Sequence, residues 1–360
     1  MNVTQQLHDL GQRIWLDNIT RDILLNGTLQ RYISEYSVTG LTSNPTIFHN
    51  AIKGSSVYDE SIKNKFVSGK SAEEIFMSLA IEDVTQAAGL FRPIHDATDG
   101  LDGWVSLEVS PLLANDAADT IHAALQLHAR VQRPNLLIKI PGTKAGIVAI
   151  EEVIFAGVPV NVTLLFSREH YLAAAEAYMR GIERRISAGR DAKVGSVASL
   201  FVSRWDVAVK DKVDESLRNR LGIAVSMHTY QAYSELLASQ RWQKLQAAGA
   251  RPQRLLWAST GTKDPAVAET LYVDALAAPN TINTIPDKTL LAFVKQREIK
   301  IALSSEGGDA KKIFSAMATA GVNVDELANT LQLEGAASFA KSWDGLMKLI
   351  ASKTEAPHQG

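Results

Sequence analysis

Apolar residues in this chain fall into short runs, and the longer stretches between them repeat apolar positions at helical spacing. A short apolar and β-branched run bounded by turn formers reads as a buried strand, and the helical repeat reads as an amphipathic helix. Eight strand-like runs occur, at 13–17 (RIWLD), 36–42 (YSVTGLT), 103–109 (GWVSLEV), 135–140 (NLLIKI), 159–166 (PVNVTLLF), 193–201 (KVGSVASLF), 254–259 (RLLWAS) and 280–285 (NTINTI). Helical patterns fill 114–133, 168–188 and 206–248, the last long enough for two helices. The interval 43–102 is longer than one crossover needs, so extra helices are expected there, with a loop holding Asp99-Gly100 and Asp102-Gly103 turns. Beyond the eighth run, Gly307-Gly308-Asp309 marks a helix break and a new N-cap. Leu331, Phe339, Trp343, Leu346 and Leu349 then keep helical spacing towards the end.

Strands that alternate with helices imply a parallel sheet, and eight strands is the count that closes a (β/α)8 barrel. The expectation is therefore an α/β fold, a (β/α)8 TIM barrel forming a single domain over 1–350. Its additional helices follow strand two and occupy the C-terminus, and 351–360 is expected to be a disordered tail.

The 360 residues are 46% hydrophobic and 21% charged, enough for a large core, and the formal net charge is -2. So balanced a charge offers no general attraction to nucleic acid or an anionic membrane, and a small soluble substrate is the better expectation. With no cysteine, disulfides, thiol catalysis and zinc-thiolate sites are excluded. The N-terminus lacks a basic start followed by an apolar core, and no segment approaches membrane-spanning length, so a cytoplasmic location is expected. The histidines show no metal-ligand spacing and no P-loop is present. Arg180, Arg184 and Arg185 read as a solvated helix face.

Against this background one residue stands out, Lys139, a lone charge inside the apolar run 135–140. A buried ammonium is costly unless it is paired or gives up its proton, which makes Lys139 a candidate amine nucleophile or else a strand-end lysine reaching solvent. Active sites of such barrels lie at the C-terminal ends of the strands, and polar residues gather there. Strand one ends in Asp17, strand two in Thr42 and Asn44, and strand three carries Glu108. Asn161 and Thr163 lie on strand five. Ser199 ends strand six with Phe201 and Arg204 beyond, and Ser259 ends strand seven with Lys263 beyond. Singly, Asp17 and Asn44 could be helix caps and Asn161 or Ser199 could satisfy local backbone. Together they suit one reaction. An iminium between lysine and a ketose makes the carbonyl carbon an electron sink, and a carboxylate that takes a hydroxyl proton lets the neighbouring carbon–carbon bond break. Asn44 and Asn161 could fix hydroxyls; Arg204, Lys263, Ser199 and Ser259 could hold a terminal phosphate.

The segments TGLTSNPTIF (39–48), VSLEVSP (105–111), NLLIKIPGT (135–143), VNVTLLFS (160–167) and SLFVSRWD (199–206) resemble transaldolase, in order on five successive strands, and the resemblance extends through 321–350. It implies Lys139 as the Schiff-base lysine and Asp17 as the acid/base for the substrate hydroxyl. Glu108 would work through a water that Thr163 helps to order. Asn44 and Asn161 would hold hydroxyls and the intermediate, and Ser199 and Arg204 part of the phosphate. The implied reaction moves a dihydroxyacetone unit from sedoheptulose 7-phosphate to glyceraldehyde 3-phosphate, giving erythrose 4-phosphate and fructose 6-phosphate, without metal or organic cofactor. One departure is evident. Transaldolases commonly carry a second phosphate-binding arginine after the Ala-Ser that ends strand seven, whereas Ala258-Ser259 is followed by Thr260-Gly261-Thr262-Lys263, leaving Lys263 as a point charge in its place. Two alternatives remain: a fructose 6-phosphate aldolase, which tends to carry tyrosine where Phe201 stands and glutamine where Glu108 stands, and a catalytically silent sugar-phosphate-binding barrel, against which the Lys139, Asp17 and Glu108 set speaks. The sequence leaves the oligomeric state open.

Overall fold

A computed structural model describes residues 2–299 and 303–355. Its centre is a closed barrel of eight parallel strands in sequential order, β8 pairing back to β1, which is the expected (β/α)8 architecture. The strands are β1 (Arg13–Leu16), β2 (Val38–Leu41), β3 (Val105–Glu108), β4 (Leu136–Pro141), β5 (Val160–Leu165), β6 (Ser196–Phe201), β7 (Arg254–Ala258) and β8 (Thr281–Ile285). Each lies in one of the eight apolar runs, except that β4 extends one residue past its run to Pro141. Nearly every strand residue is buried, because helices cover the outer face and side chains fill the inner one.

Three helices, Pro45–Gly54, Asp59–Val67 and Ala72–Ala97, occupy the long interval after β2, the third opened by a Ser71/Glu74 capping box. The 206–248 pattern resolves into Ser203–Val209, Leu221–Ala238 and Gln240–Ala247. Several helices lie outside the patterns read from the sequence, among them Arg21–Leu25 and Thr28–Tyr36 between β1 and β2. Val3–Leu10 precedes β1, and Lys144–Ala156, apolar on most of its circumference, packs between the helices Ala117–Val131 and Arg168–Ser187 and onto β4 and β5. Asp309 precedes the helix Ala310–Thr319 but makes no side-chain cap; its carboxylate pairs with Arg220 at 2.9 Å instead. The expected solvated arginine face is only part exposed and bridges two helices, with Arg180 and Arg184 pairing with Glu151 at 2.6 and 3.0 Å. The C-terminal helix, Val324–Glu355, packs against the extra helices and the end of β5. It continues through 351–355, where a tail was expected, and 356–360 lie outside the described residues.

Side chains of alternate strand residues share a face, so Arg13, Trp15 and Asp17 form an inward column, as do Gly40 and Thr42 beside them. The Trp15 indole fills the middle of the barrel next to Gly40. A Cβ there would lie 2.5 Å from the indole, so only glycine admits the ring. At the N-terminal ends of the strands the interior is polar. Trp15 Nε1 donates to Asp102 Oδ1 at 2.9 Å, Arg13 Nε lies 3.3 Å from Asp102 Oδ2, and the buried Arg254 donates to the carbonyl of Thr281 at 3.0 Å.

Candidate active site

The register of neighbouring strands brings Glu108, Lys139 and Asn161 to one level, on β3, β4 and β5. Lys139 Nζ donates to the Ser43 carbonyl at 2.8 Å and lies 3.3 Å from Glu108 Oε2, with both side chains buried. The carboxylate is placed as a counter-charge, but neither of its oxygens completes an aligned hydrogen bond, and Thr163 Oγ1 is likewise buried without a partner. Burial pushes the Glu108 carboxyl above the ordinary range, and the Lys139 charge only partly opposes this. Asp17, which follows β1, accepts from Thr42 Oγ1 at 2.8 Å. Thr42 in turn lies 2.6 Å from Thr284 Oγ1, so a hydroxyl chain from β8 ends on the carboxylate. Burial raises the Asp17 carboxyl too. Thr42, Lys139 and Lys263 pull it down, and Asp287 pushes it further up.

Asn161 is fixed on both sides, its Oδ1 accepting from Ser199 Oγ at 2.7 Å and its Nδ2 donating to Ser106 Oγ at 3.0 Å. Its second amide hydrogen remains to donate. Asn44 serves as a helix cap, its side chain accepting from Ile47 N at 3.0 Å, and it faces the cavity as well. Ser259 follows β7 with φ 56°, a left-handed conformation sparsely used outside glycine, and its hydroxyl lies 2.9 Å from that of Ser203.

These side chains surround a cavity of about 610 Å³ at the C-terminal mouth of the barrel, within the range of small-molecule sites. Asp17, Thr42, Asn44, Lys139, Asn161, Thr163, Ser199, Phe201, Arg204, Ser259 and Lys263 all line it. Glu108 does not. It lies beside Lys139 on the neighbouring strand, reaching the cavity through that lysine. Arg204 and the exposed Lys263 supply positive charge to the wall. The sequence pattern did not disclose the wall supplied by the C-terminal helix, where Leu331, Glu334 and Phe339 face the same space. Leu331 and Phe339 were legible only as members of a helical apolar stripe. Among the described residues no group of three or more His, Cys, Asp or Glu side chains is placed to hold a metal, and no helix is long and apolar enough to cross a membrane.

A barrel with a buried lysine, a carboxylate against it and a second carboxylate at the same mouth has the equipment of the lysine-dependent aldolases as a class. The chain belongs to the Transaldolase/Fructose-6-phosphate aldolase family, whose model matches residues 14–350. It is 41% identical over 358 residues to a transaldolase of Saccharopolyspora erythraea, covering 98% of this chain and 97% of that protein. It is 42% identical to transaldolases of Frankia alni and Thermobifida fusca, each over 361 residues and 98% of this chain, covering 97% and 98% of those proteins.

Proposed function

We propose that this protein is a transaldolase, a transferase that carries a dihydroxyacetone unit from sedoheptulose 7-phosphate to glyceraldehyde 3-phosphate through a Schiff base on Lys139. The observation that carries this reading is the pairing of Lys139 with Glu108 at 3.3 Å beneath a cavity that also holds Asp17 and Arg204. The Lys139 amine adds to the C2 carbonyl of the ketose to give a carbinolamine. Glu108 passes a proton through a water also held by Thr163, the hydroxyl leaves as water, and the iminium forms. The unpartnered oxygens of Glu108 and Thr163 supply the acceptors such a water needs. Asp17 then takes the C4 hydroxyl proton, the C3–C4 bond breaks, and its electron pair enters the iminium to give an enamine while erythrose 4-phosphate departs. A carboxyl held above its ordinary range is a stronger base than an exposed aspartate, which suits this step. The enamine carbon adds to glyceraldehyde 3-phosphate, Asp17 returns the proton, and hydrolysis frees fructose 6-phosphate.

Asn44 and Asn161 hold substrate hydroxyls, with Thr42 orienting Asp17. Arg204 and Lys263, helped by Ser259, hold the terminal phosphate, whereas Ser199, whose hydroxyl hydrogen goes to Asn161, orients that amide instead. Phe201 presents no hydroxyl to orient water or protonate the enamine, so the intermediate waits for an aldehyde; this favours transfer over release of dihydroxyacetone.

Borohydride with fructose 6-phosphate should place a three-carbon adduct on the peptide containing Lys139, and glyceraldehyde 3-phosphate release should depend on added erythrose 4-phosphate. An adduct on Lys144 would refute the nucleophile, acceptor-independent turnover would make the protein an aldolase, and no turnover would leave a binding barrel.

A further inference from the structure

Arg204 follows β6 and is half-buried, yet among the described residues no hydrogen bond or ion pair holds its guanidinium, and the Glu334 carboxylate acts on it only as a more distant charge. Two rings hold it instead. Its Cζ lies 5.5 Å from the centroid of Phe201 and 5.9 Å from that of Phe339, and the two centroids are 6.5 Å apart. Phe339 belongs to the C-terminal helix and also lies 5.9 Å from Lys139 Nζ. Leu331, Gly335 and Phe339 recur every fourth residue, so they form one buried stripe on that helix, facing the cavity and Arg204. Gly335 is the close point of the stripe. A Cβ there would lie 3.2 Å from Arg204 Nη1 and 2.9 Å from Leu164 Cδ2.

We infer that Phe339 is a positioning residue for anion recognition: with Phe201 it holds the Arg204 cation over the faces of the two rings, so that the N–H donors remain unspent for the substrate's terminal phosphate. An arginine oriented by a carboxylate gives up donors and charge to that partner. One oriented by aromatic faces keeps both, and little rotamer freedom is left to lose when the anion arrives. The C-terminal helix thereby acts on phosphate affinity without touching the phosphate. This inference rests on the reading of Arg204 as a phosphate ligand.

The test compares inorganic phosphate as a competitive inhibitor in the parent, Phe339→Leu, Phe339→Tyr, Arg204→Ala and the Phe339→Leu/Arg204→Ala pair. Loss of a cation–ring contact should raise the phosphate inhibition constant about twofold to thirtyfold in Phe339→Leu. KM for fructose 6-phosphate should rise relative to that for fructose. Phe339→Tyr, which keeps the face, should stay within about twofold of the parent, and adding Phe339→Leu to Arg204→Ala should cost nothing further. A merely structural ring would weaken phosphorylated and unphosphorylated donors alike. Gly335→Ala gives a second readout of where the guanidinium sits should Phe339→Leu fold poorly: its methyl meets Leu164 at 2.9 Å and Arg204 Nη1 at 3.2 Å while both rings stay, and it too should raise the inhibition constant for phosphate but not KM for fructose. If Arg204→Ala weakens phosphate but folded Phe339→Leu and Gly335→Ala do not, the positioning role is wrong and the phosphate reading stands. If Arg204→Ala leaves phosphate inhibition unchanged, both fall.

Discussion

Ionising Asp17 is costly because burial removes water from the carboxylate, and its neighbours do not fully compensate. Its folded-state value lies above the ordinary aspartate value, so over the interval between the two the native state binds more protons than the unfolded chain. Stability from this group is therefore fully present below the ordinary value of about 3.9 and is lost as pH rises through the raised one. At neutral pH the charged side chain weakens the fold it serves. Asp17→Asn, which can still accept from Thr42, should raise Tm at pH 7 by roughly 1–4 °C while abolishing carbon–carbon cleavage, and the gain should shrink as pH falls towards about 4. Calorimetry that found Asp17→Asn less stable at pH 7 would contradict this cost. The same chemistry explains which site residues the sequence disclosed. A lone lysine in an apolar run and carboxylates at strand ends conflict with their surroundings, and such conflicts are visible one residue at a time. Phe339 conflicts with nothing; an aromatic residue on an apolar helical stripe is what core packing also requires, and only the facing guanidinium reveals its second contact.

At the scale of elements, the eight strands were legible because each is buried on both faces and so reads as a short run rich in apolar or β-branched residues. Lys144–Ala156 was not, because a helix apolar on most sides loses the contrast that marks its period. Nor does periodicity tell which surface a terminal helix will cover. Here Gln332 settles that choice. Its Nε2 donates to the Gly142 carbonyl at 3.1 Å, beyond β4, and to the Leu164 carbonyl at 2.9 Å, on β5. Leu164 has φ 59°, and the β5–β6 register slips between Val162 and Leu165, so the strand bulges immediately after Thr163. An aliphatic residue so placed costs about 1–3 kcal/mol and persists only when its surroundings enforce it. Gln332 is part of that enforcement and joins the helix to the strand that carries Thr163. Gln332→Leu leaves two carbonyls without their donor, which should lower stability by about 1–3 kcal/mol in urea unfolding. If Thr163 orders the water of iminium formation as proposed, the substitution should also slow formation of the trapped Lys139 adduct more than the later cleavage step. Equal slowing of both steps would mean that the clamp holds the helix without aiming Thr163.

Across the whole molecule, the barrel interior divides into two polar ends separated by the layer that contains Trp15. The C-terminal end carries Lys139, Asp17 and Glu108, and burial opposes the charge of both carboxylates. The N-terminal end carries Arg13, Asp102 and Arg254, which close the barrel floor. In the sequence Asp102 was readable only as a turn former before Gly103. Its service as acceptor for Trp15 and counter-charge for Arg13 depends on residues far along the chain that barrel closure brings to it. Burial also pulls the Arg254 guanidinium below its ordinary value, and the Asp102 charge opposes that pull. Asp102→Ala should therefore leave buried positive charge uncompensated and cost about 3–5 kcal/mol, seen as a lower urea midpoint. Below that midpoint the folded enzyme should keep KM and the rate of Lys139 adduct formation within about twofold, because the indole layer separates the floor from the cavity. If Asp102→Ala slowed adduct formation tenfold in protein still fully folded, the two ends would be coupled through Trp15, and the division of the barrel into a supporting floor and a reacting mouth would have to be abandoned.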